Sequence, residues 1–160
     1  MTLQAGHVAA FLDRGMPLEL RSLVEELYRY TLQSDDNAEV LHNFPERVVR
    51  VLIALHFSKG TLIYHRDHRH EIDGLLMWYR CNQEWTWEDI REWKTDDPKG
   101  DSFFLAFLWA GPGVMKDMCI DLIRKVPEVI THKLLGLREK KDGPQLVRYD
   151  QRVLVKILKK

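Results

Sequence analysis

The sequence predicts an α/β domain with one central mixed sheet and helices on its faces. Three observations point there: helical periodicity leads the chain, a β-rich hairpin follows, and a strand–glycine turn–helix–strand unit comes after it. Together they describe a single domain over residues 1–160, with a helical part over 1–58 and a sheet-and-loop core over 59–160.

Pro17 opens a segment in which Leu20, Leu23, Val24, Leu27 and Thr31 recur at helical spacing, and Ser34-Asp35-Asp36-Asn37 ends it. A second helix is predicted from about Pro45, a residue suited to a first helical turn, through Val48, Val49, Leu52, Ile53 and His56. The period then changes. Gly60–Tyr64 and Gly74–Tyr79 are β-rich and flank the polar stretch His65–Asp73, which reads as a hairpin with a polar tip. Thr86-Trp87-Glu88-Asp89 resembles a capping box that opens a short helix, and Thr95–Asp101 is a loop.

Ser102–Trp109 is continuously apolar, the pattern of a central strand buried on both faces. Ala110-Gly111-Pro112-Gly113 must turn the chain into a helix that carries Met115, Met118, Cys119, Leu122, Ile123 and Val126 on one face. Pro127 stops that helix, Ile130–Leu137 reads as a strand, and Lys140–Pro144 reads as a turn. The final segment, from Val147 to Ile157, alternates like an edge strand.

Twenty-four Lys and Arg balance twenty-four Asp and Glu, so no net field draws the whole protein to nucleic acid or an anionic membrane. Cys81 and Cys119 stand in unrelated contexts and are expected to be buried free thiols, as in a reducing compartment. The N-terminal stretch lacks the basic start of a signal peptide, and the longest apolar run, Phe103–Ala110, is too short to span a bilayer. A cytoplasmic location is the expectation.

A buried strand that turns through Gly-Pro-Gly into a helix points unpaired backbone N–H groups and the positive end of the helix dipole at one spot. Such a spot suits a phosphate-sized anion, and glycine permits close approach. A plain chain reversal is the other reading.

Hairpin, buried strand, Gly-x-Gly turn, helix and strand follow the order of the GNAT acyltransferase core, which the chain resembles over about residues 45–158. Leu108-Trp109-Ala110-Gly111-Pro112-Gly113 is similar to that family's pyrophosphate-binding loop, although Leu108 replaces its leading Arg or Gln and Pro112 lacks an N–H. The resemblance implies acetyl-CoA or another acyl-CoA as co-substrate. Leu108, Trp109, Ala110, Gly111, Gly113, Val114 and Met115 would hold it, without a metal. It implies acyl transfer to the amine of a small molecule or a protein. Leu41-His42-Asn43-Phe44-Pro45 resembles a segment of the toxin-activating lysine acyltransferases, which implies His42 as a catalytic residue, but the central strand offers no matching aspartate. The non-catalytic reading is a GNAT-like module of the kind found among phage virion proteins, or one that forms a homodimer.

A proton acceptor for the amine is required. Glu71 and Asp73 at the second hairpin strand, and His132 after the helix, are the candidates, and Tyr149 is a candidate thiolate donor. His65, Asp67, His68 and His70 read as a solvated turn, with a basic contact or a metal site as alternatives. Trp85, Trp87 and Trp93 surround the short helix and read as core anchors, with an aromatic groove or dimer face as the alternative. Arg148, Arg152, Lys156, Lys159 and Lys160 form a basic ending read as a solvated strand face.

Overall fold

The computed structural model describes residues 17–33, 44–82, 84–140, 143–149, 152, 156 and 159. The chain divides into two compact units, Met1–Leu62 with Trp87–Thr95, and Ile63–Thr86 with Asp96–Lys160.

In the first unit, helix α1 (Leu18–Thr31) packs on helix α2 (Glu46–Lys59), each preceded by a proline at its N-cap. Leu27, Leu52, Ile53 and Ala54 are fully buried, which fulfils the periodicity of both segments. Arg50 locks the pair: its Nε donates to Glu25 Oε1 at 2.6 Å, and its guanidinium lies 4.2 Å from the Tyr28 ring centroid. His56 is wholly buried on α2, with Nδ1 2.8 Å from Thr61 Oγ1. Burial, helped by Lys59, pushes its pKa well below 6.5 and keeps it neutral.

The second unit holds most of a five-stranded sheet of order β1-β2-β3-β4-β5: Leu62–Arg66, Ile72–Cys81, Ser102–Ala110, Lys133–Lys140 and Gly143–Tyr149. The short link between β1 and β2 permits only a hairpin. β2 and β3 are antiparallel, β3 and β4 are parallel, and β4 and β5 are antiparallel. The sheet is therefore mixed, with β3 at its centre, as the apolar run predicts, and β5 at an edge. The short helix α3 (Trp87–Arg91) belongs to the first unit, and α4 (Met115–Lys125) crosses over between β3 and β4.

One face of the sheet packs on α4. Leu76, Trp78, Phe103 and Leu134 meet Val114, Met118, Cys119 and Leu122 there. β3 changes parity halfway: Met77 pairs with Phe107 but Trp78 pairs with Leu105, so Ala106 is an extra, bulged residue. The bulge turns Leu108 and Ala110 toward α4 and sends Phe107 and Trp109, stacked at 5.6 Å, to the other face. On that face Trp85 is buried against Tyr79 at 4.5 Å and Phe104 at 6.2 Å between ring centroids. Both cysteines are free and buried, and burial raises the Cys119 thiol pKa.

Four boundaries differ from the sequence reading. Lys140, Gly143 and Pro144, expected in a turn, are strand residues that pair β4 with β5. The hairpin strands are longer than predicted and take in His65 and Asp73, which leaves Asp67–Glu71 as the tip. Asp67 shapes that tip by accepting hydrogen bonds from the N–H groups of Arg69 and Glu71, and these hold its carboxyl below the usual range. β4 begins at Lys133 rather than Ile130, because Pro127 starts a 3-10 turn over Pro127–Ile130; Ile130 is 52% exposed. The last strand stops at Tyr149, and Arg152, Lys156 and Lys159 are helical and exposed. Bases spaced by four satisfy both a strand period and a helix period, and only Lys159 separates the two.

Two stability outcomes follow. Trp85→Ala removes a buried indole packed on Tyr79 and Phe104 and is expected to cost about 3–5 kcal/mol in urea unfolding. Unfolded His56 takes up a proton as pH falls through 6.5 while the buried, folded one resists it. The unfolded state then binds more protons, so stability falls as pH drops below 6.5, until the depressed folded pKa is reached. The urea midpoint of His56→Gln is expected to decline less steeply over the same range.

Candidate functional site

The site forms where the start of α4 settles on the sheet. Gly74 of β2 lies opposite Ala110 at the end of β3. A Cβ at Gly74 would stand 2.5 Å from Met118 Sδ and 2.9 Å from Val114 Cγ1, so only glycine lets the first turn of α4 come this close. Next to it, the Asp73 carbonyl accepts the Gly111 N–H at 2.8 Å, which ties the glycine turn to the hairpin.

The Asp73 side chain points into chemistry of its own. Its Oδ1 lies 2.6 Å from His65 Nδ1, across the hairpin. An ionised carboxylate only accepts, so Nδ1 carries a proton and donates to it, which leaves Nε2 as the nitrogen turned away from Asp73. Nε2 faces Asp117 Oδ2 of α4 at 3.6 Å, beyond hydrogen-bond range but within ion-pair distance for a protonated imidazole. The His65 and Asp73 side chains are 27% and 24% exposed, and that of Asp117 is 60% exposed. Three elements thus bring one imidazole between two carboxylates. His65 has an orienting partner on Nδ1 and turns Nε2 toward the first turn of α4.

Backbone accounting changes the reading of the loop. The Gly111 N–H goes to Asp73, the Val114 N–H goes to the Gly111 carbonyl at 3.2 Å, and Pro112 has none. Gly111 and Val114, read from the sequence as ligand donors, are therefore spent within the fold. No acceptor among the described residues takes the N–H groups of Gly113, Met115, Lys116 or Asp117, and the N-cap, Val114, supplies no side-chain cap. Gly113 has φ of +79° and open space where a Cβ would be, so its peptide is accessible from outside. Trp109 turns its ring to the other face. Leu108 and Ala110 pack partly buried under α4 beside Met115.

The pairing of β3 with β4 covers only Ser102–Leu105 and Lys133–Gly136. Both strands run on past it, to Ala110 and Lys140, and the bulge at Ala106 sits where the pairing stops. The carboxyl ends of two parallel strands, with a helix start beside them, are where α/β sheets receive ligands.

The predicted catalytic residues separate. Asp73 is in the site. Glu71 is exposed at the hairpin tip, where its backbone pairs with Asp67. His132 precedes β4 at the opposite end of β3, about 26 Å away at ~3.3 Å per residue. There its Nε2 lies 3.4 Å from an Arg80 nitrogen, its ring meets Phe103, and Arg80 also donates to Glu128 and to the Gly100 carbonyl. This ties the 3-10 turn to β2 and is remote from the loop. His42 and the side chain of Tyr149 lie outside the described residues.

The sequence places His65 in one cluster with His68 and His70, but the fold separates them: His65 is half-buried on β1, while His68 and His70 are exposed at the tip. Among the described residues, no group of three His, Cys, Asp or Glu side chains is arranged to hold a metal ion. The available clue to His65 was its place eight residues before Asp73, opposite it in a hairpin with a five-residue tip.

No helix among the described residues is long and apolar enough to cross a membrane. No family model matches the chain, and no curated protein matches it. Among solved structures it is similar to an N-acetyltransferase from Staphylococcus aureus Mu50, at 11% identity and a TM-score of 0.41, with 90% of this chain and 85% of that chain covered.

Proposed function

We propose that the chain is an acyl-CoA-dependent N-acyltransferase in which the start of α4 receives the phosphates of the donor and His65, oriented by Asp73, serves as the base. The observation that carries this reading is the His65–Asp73 pair at the same end of the sheet as four untaken N–H groups. The element order supports the GNAT-like reading of the sequence: hairpin, bulged central strand, glycine turn, helix, and a parallel strand that parts from the central one.

The reaction balances without a further reactant. A protonated amine gives one proton to His65 Nε2 and attacks the thioester carbonyl. The C–N bond forms and the C–S bond breaks. The second proton passes from the attacking nitrogen to the leaving thiolate, and His65 later returns its own to water. Asp73 holds the tautomer that leaves Nε2 able to accept, and it stabilises the imidazolium. Holding donor and acceptor together supplies the remainder.

One observation favours the non-catalytic module instead: Leu108, Pro112 and the engaged N–H groups of Gly111 and Val114 weaken the grip of the loop on phosphate. Calorimetric titration with coenzyme A and acetyl-CoA decides between them. Millimolar or tighter binding is expected, together with its loss in Gly113→Glu, which adds a negative charge at the helix start; absence of binding leaves the module. With an accepted amine in hand, His65→Gln is expected to lower kcat/KM by about a hundredfold or more, measured as thiol release.

A further inference from the structure

His65 joins three elements at one point: its own strand β1, Asp73 of β2, and Asp117 in the first turn of α4. The Asp73 contact is a 2.6 Å hydrogen bond from Nδ1, and the ring makes it whether neutral or charged. The Asp117 contact is of another kind. Oδ2 and Nε2, 3.6 Å apart, are an ion pair when Nε2 carries a proton and two facing acceptors when it does not. The exposed Asp117 carboxylate can turn to water in the second case. One proton therefore decides whether this contact attracts or repels. The other charged groups around His65 have places of their own. Arg66, next on β1, donates to the His70 carbonyl and lies 5.5 Å from the Tyr64 ring centroid. Asp67 closes the hairpin tip by accepting from the N–H groups of Arg69 and Glu71, and His68 and His70 are exposed there. On α4, Lys116 precedes Asp117 and Asp121 follows one turn later.

We propose that His65 and Asp117 form a proton-operated clasp between the hairpin and the first turn of α4. A second proton on the imidazole closes it, because the ring is then a cation between Asp73 and Asp117 and ties β1, β2 and α4 together. Loss of that proton opens it: Asp117 turns to solvent and Nδ1 stays on Asp73. The sign follows directly. The start of α4 is held more firmly as pH falls through the range in which histidine titrates, about pH 5–8, and more loosely as pH rises. The Gly111 N–H on the Asp73 carbonyl is independent of that proton, so the clasp tunes the first turn without releasing the helix. The clasp needs only these three side chains and goes beyond the acyltransferase reading. Within that reading the open clasp is the working state, since Nε2 accepts a proton only there.

The test follows the clasp from both sides with no ligand present. In isotope-labelled protein, NMR records the imidazole Cε1–H of His65 and the carboxylate Cγ of Asp117 across about pH 5–8. The two resonances are assigned by their loss in His65→Gln and Asp117→Asn. The Asp117 carboxylate is expected to shift with the same midpoint as His65. Amide hydrogen exchange of Met118 and Cys119, corrected for the intrinsic effect of pH, reads the hold on the helix start; the Met118 N–H closes the first turn on the Val114 carbonyl. Exchange is expected to be about two- to fivefold slower at the acid end, the weight of a partly exposed ion pair. That difference should vanish in Asp117→Asn and in high salt, and persist in Asp121→Asn. An Asp117 resonance indifferent to the His65 titration, or an exchange difference of the same size in Asp117→Asn, overturns the clasp. Neither coenzyme A nor an amine enters the measurement, so its failure and that of the acyltransferase reading are told apart.

Discussion

The arrangement around the site depends on how closely α4 sits on β2. Gly74 leaves no side chain between the sheet and the first turn of α4, so Val114 and Met118 reach the sheet directly. That contact fixes the height of the glycine turn, which places the Gly111 N–H on the Asp73 carbonyl. It also fixes where Asp117 emerges. A Cβ at Gly74 would force the Met118 and Val114 side chains to shift at the very turn that carries the Gly111 hydrogen bond and the exposed N–H groups. Packing comes first here, and the polar geometry follows from it.

The architecture was legible because each of its signals is local and repeated. Ser102–Ala110 is apolar throughout, and a strand of that kind belongs in the middle of a sheet, where β3 lies. The periodicity of Met118, Cys119 and Leu122 survived as the buried face of α4. Errors fell where one pattern serves two structures. Arg152 and Lys156 suit a strand or a helix equally well. Ile130 reads as the start of a strand, but the proline three residues earlier had already committed the backbone to a tight turn.

The site was only half legible, for a different reason. Asp73 stood out as a carboxylate entering a strand, but His65 was hidden in a run of polar residues that looked like one solvated loop. The pairing of the two depends on the hairpin register, and that depends on how Asp67 closes the tip with its side chain. No periodicity reports such a turn from a distance. His132 attracted attention because it interrupts an apolar run, but its neighbours are the ring of Phe103 and the guanidinium of Arg80, at the far end of the strand. The loss of the Gly111 and Val114 donors was likewise invisible, since a glycine-rich motif records where a chain bends and says nothing about which of its amides are already occupied.

Asp73 serves the molecule twice, with different atoms. Its carbonyl anchors the glycine turn and its carboxylate orients His65. The first task belongs to the backbone and would survive almost any residue at this position, while the second belongs to the side chain alone. Scaffold and reactivity are therefore separable at a single residue. One codon change at Asp73 can strip His65 of its orienting partner and leave the backbone hydrogen bond of the loop in place.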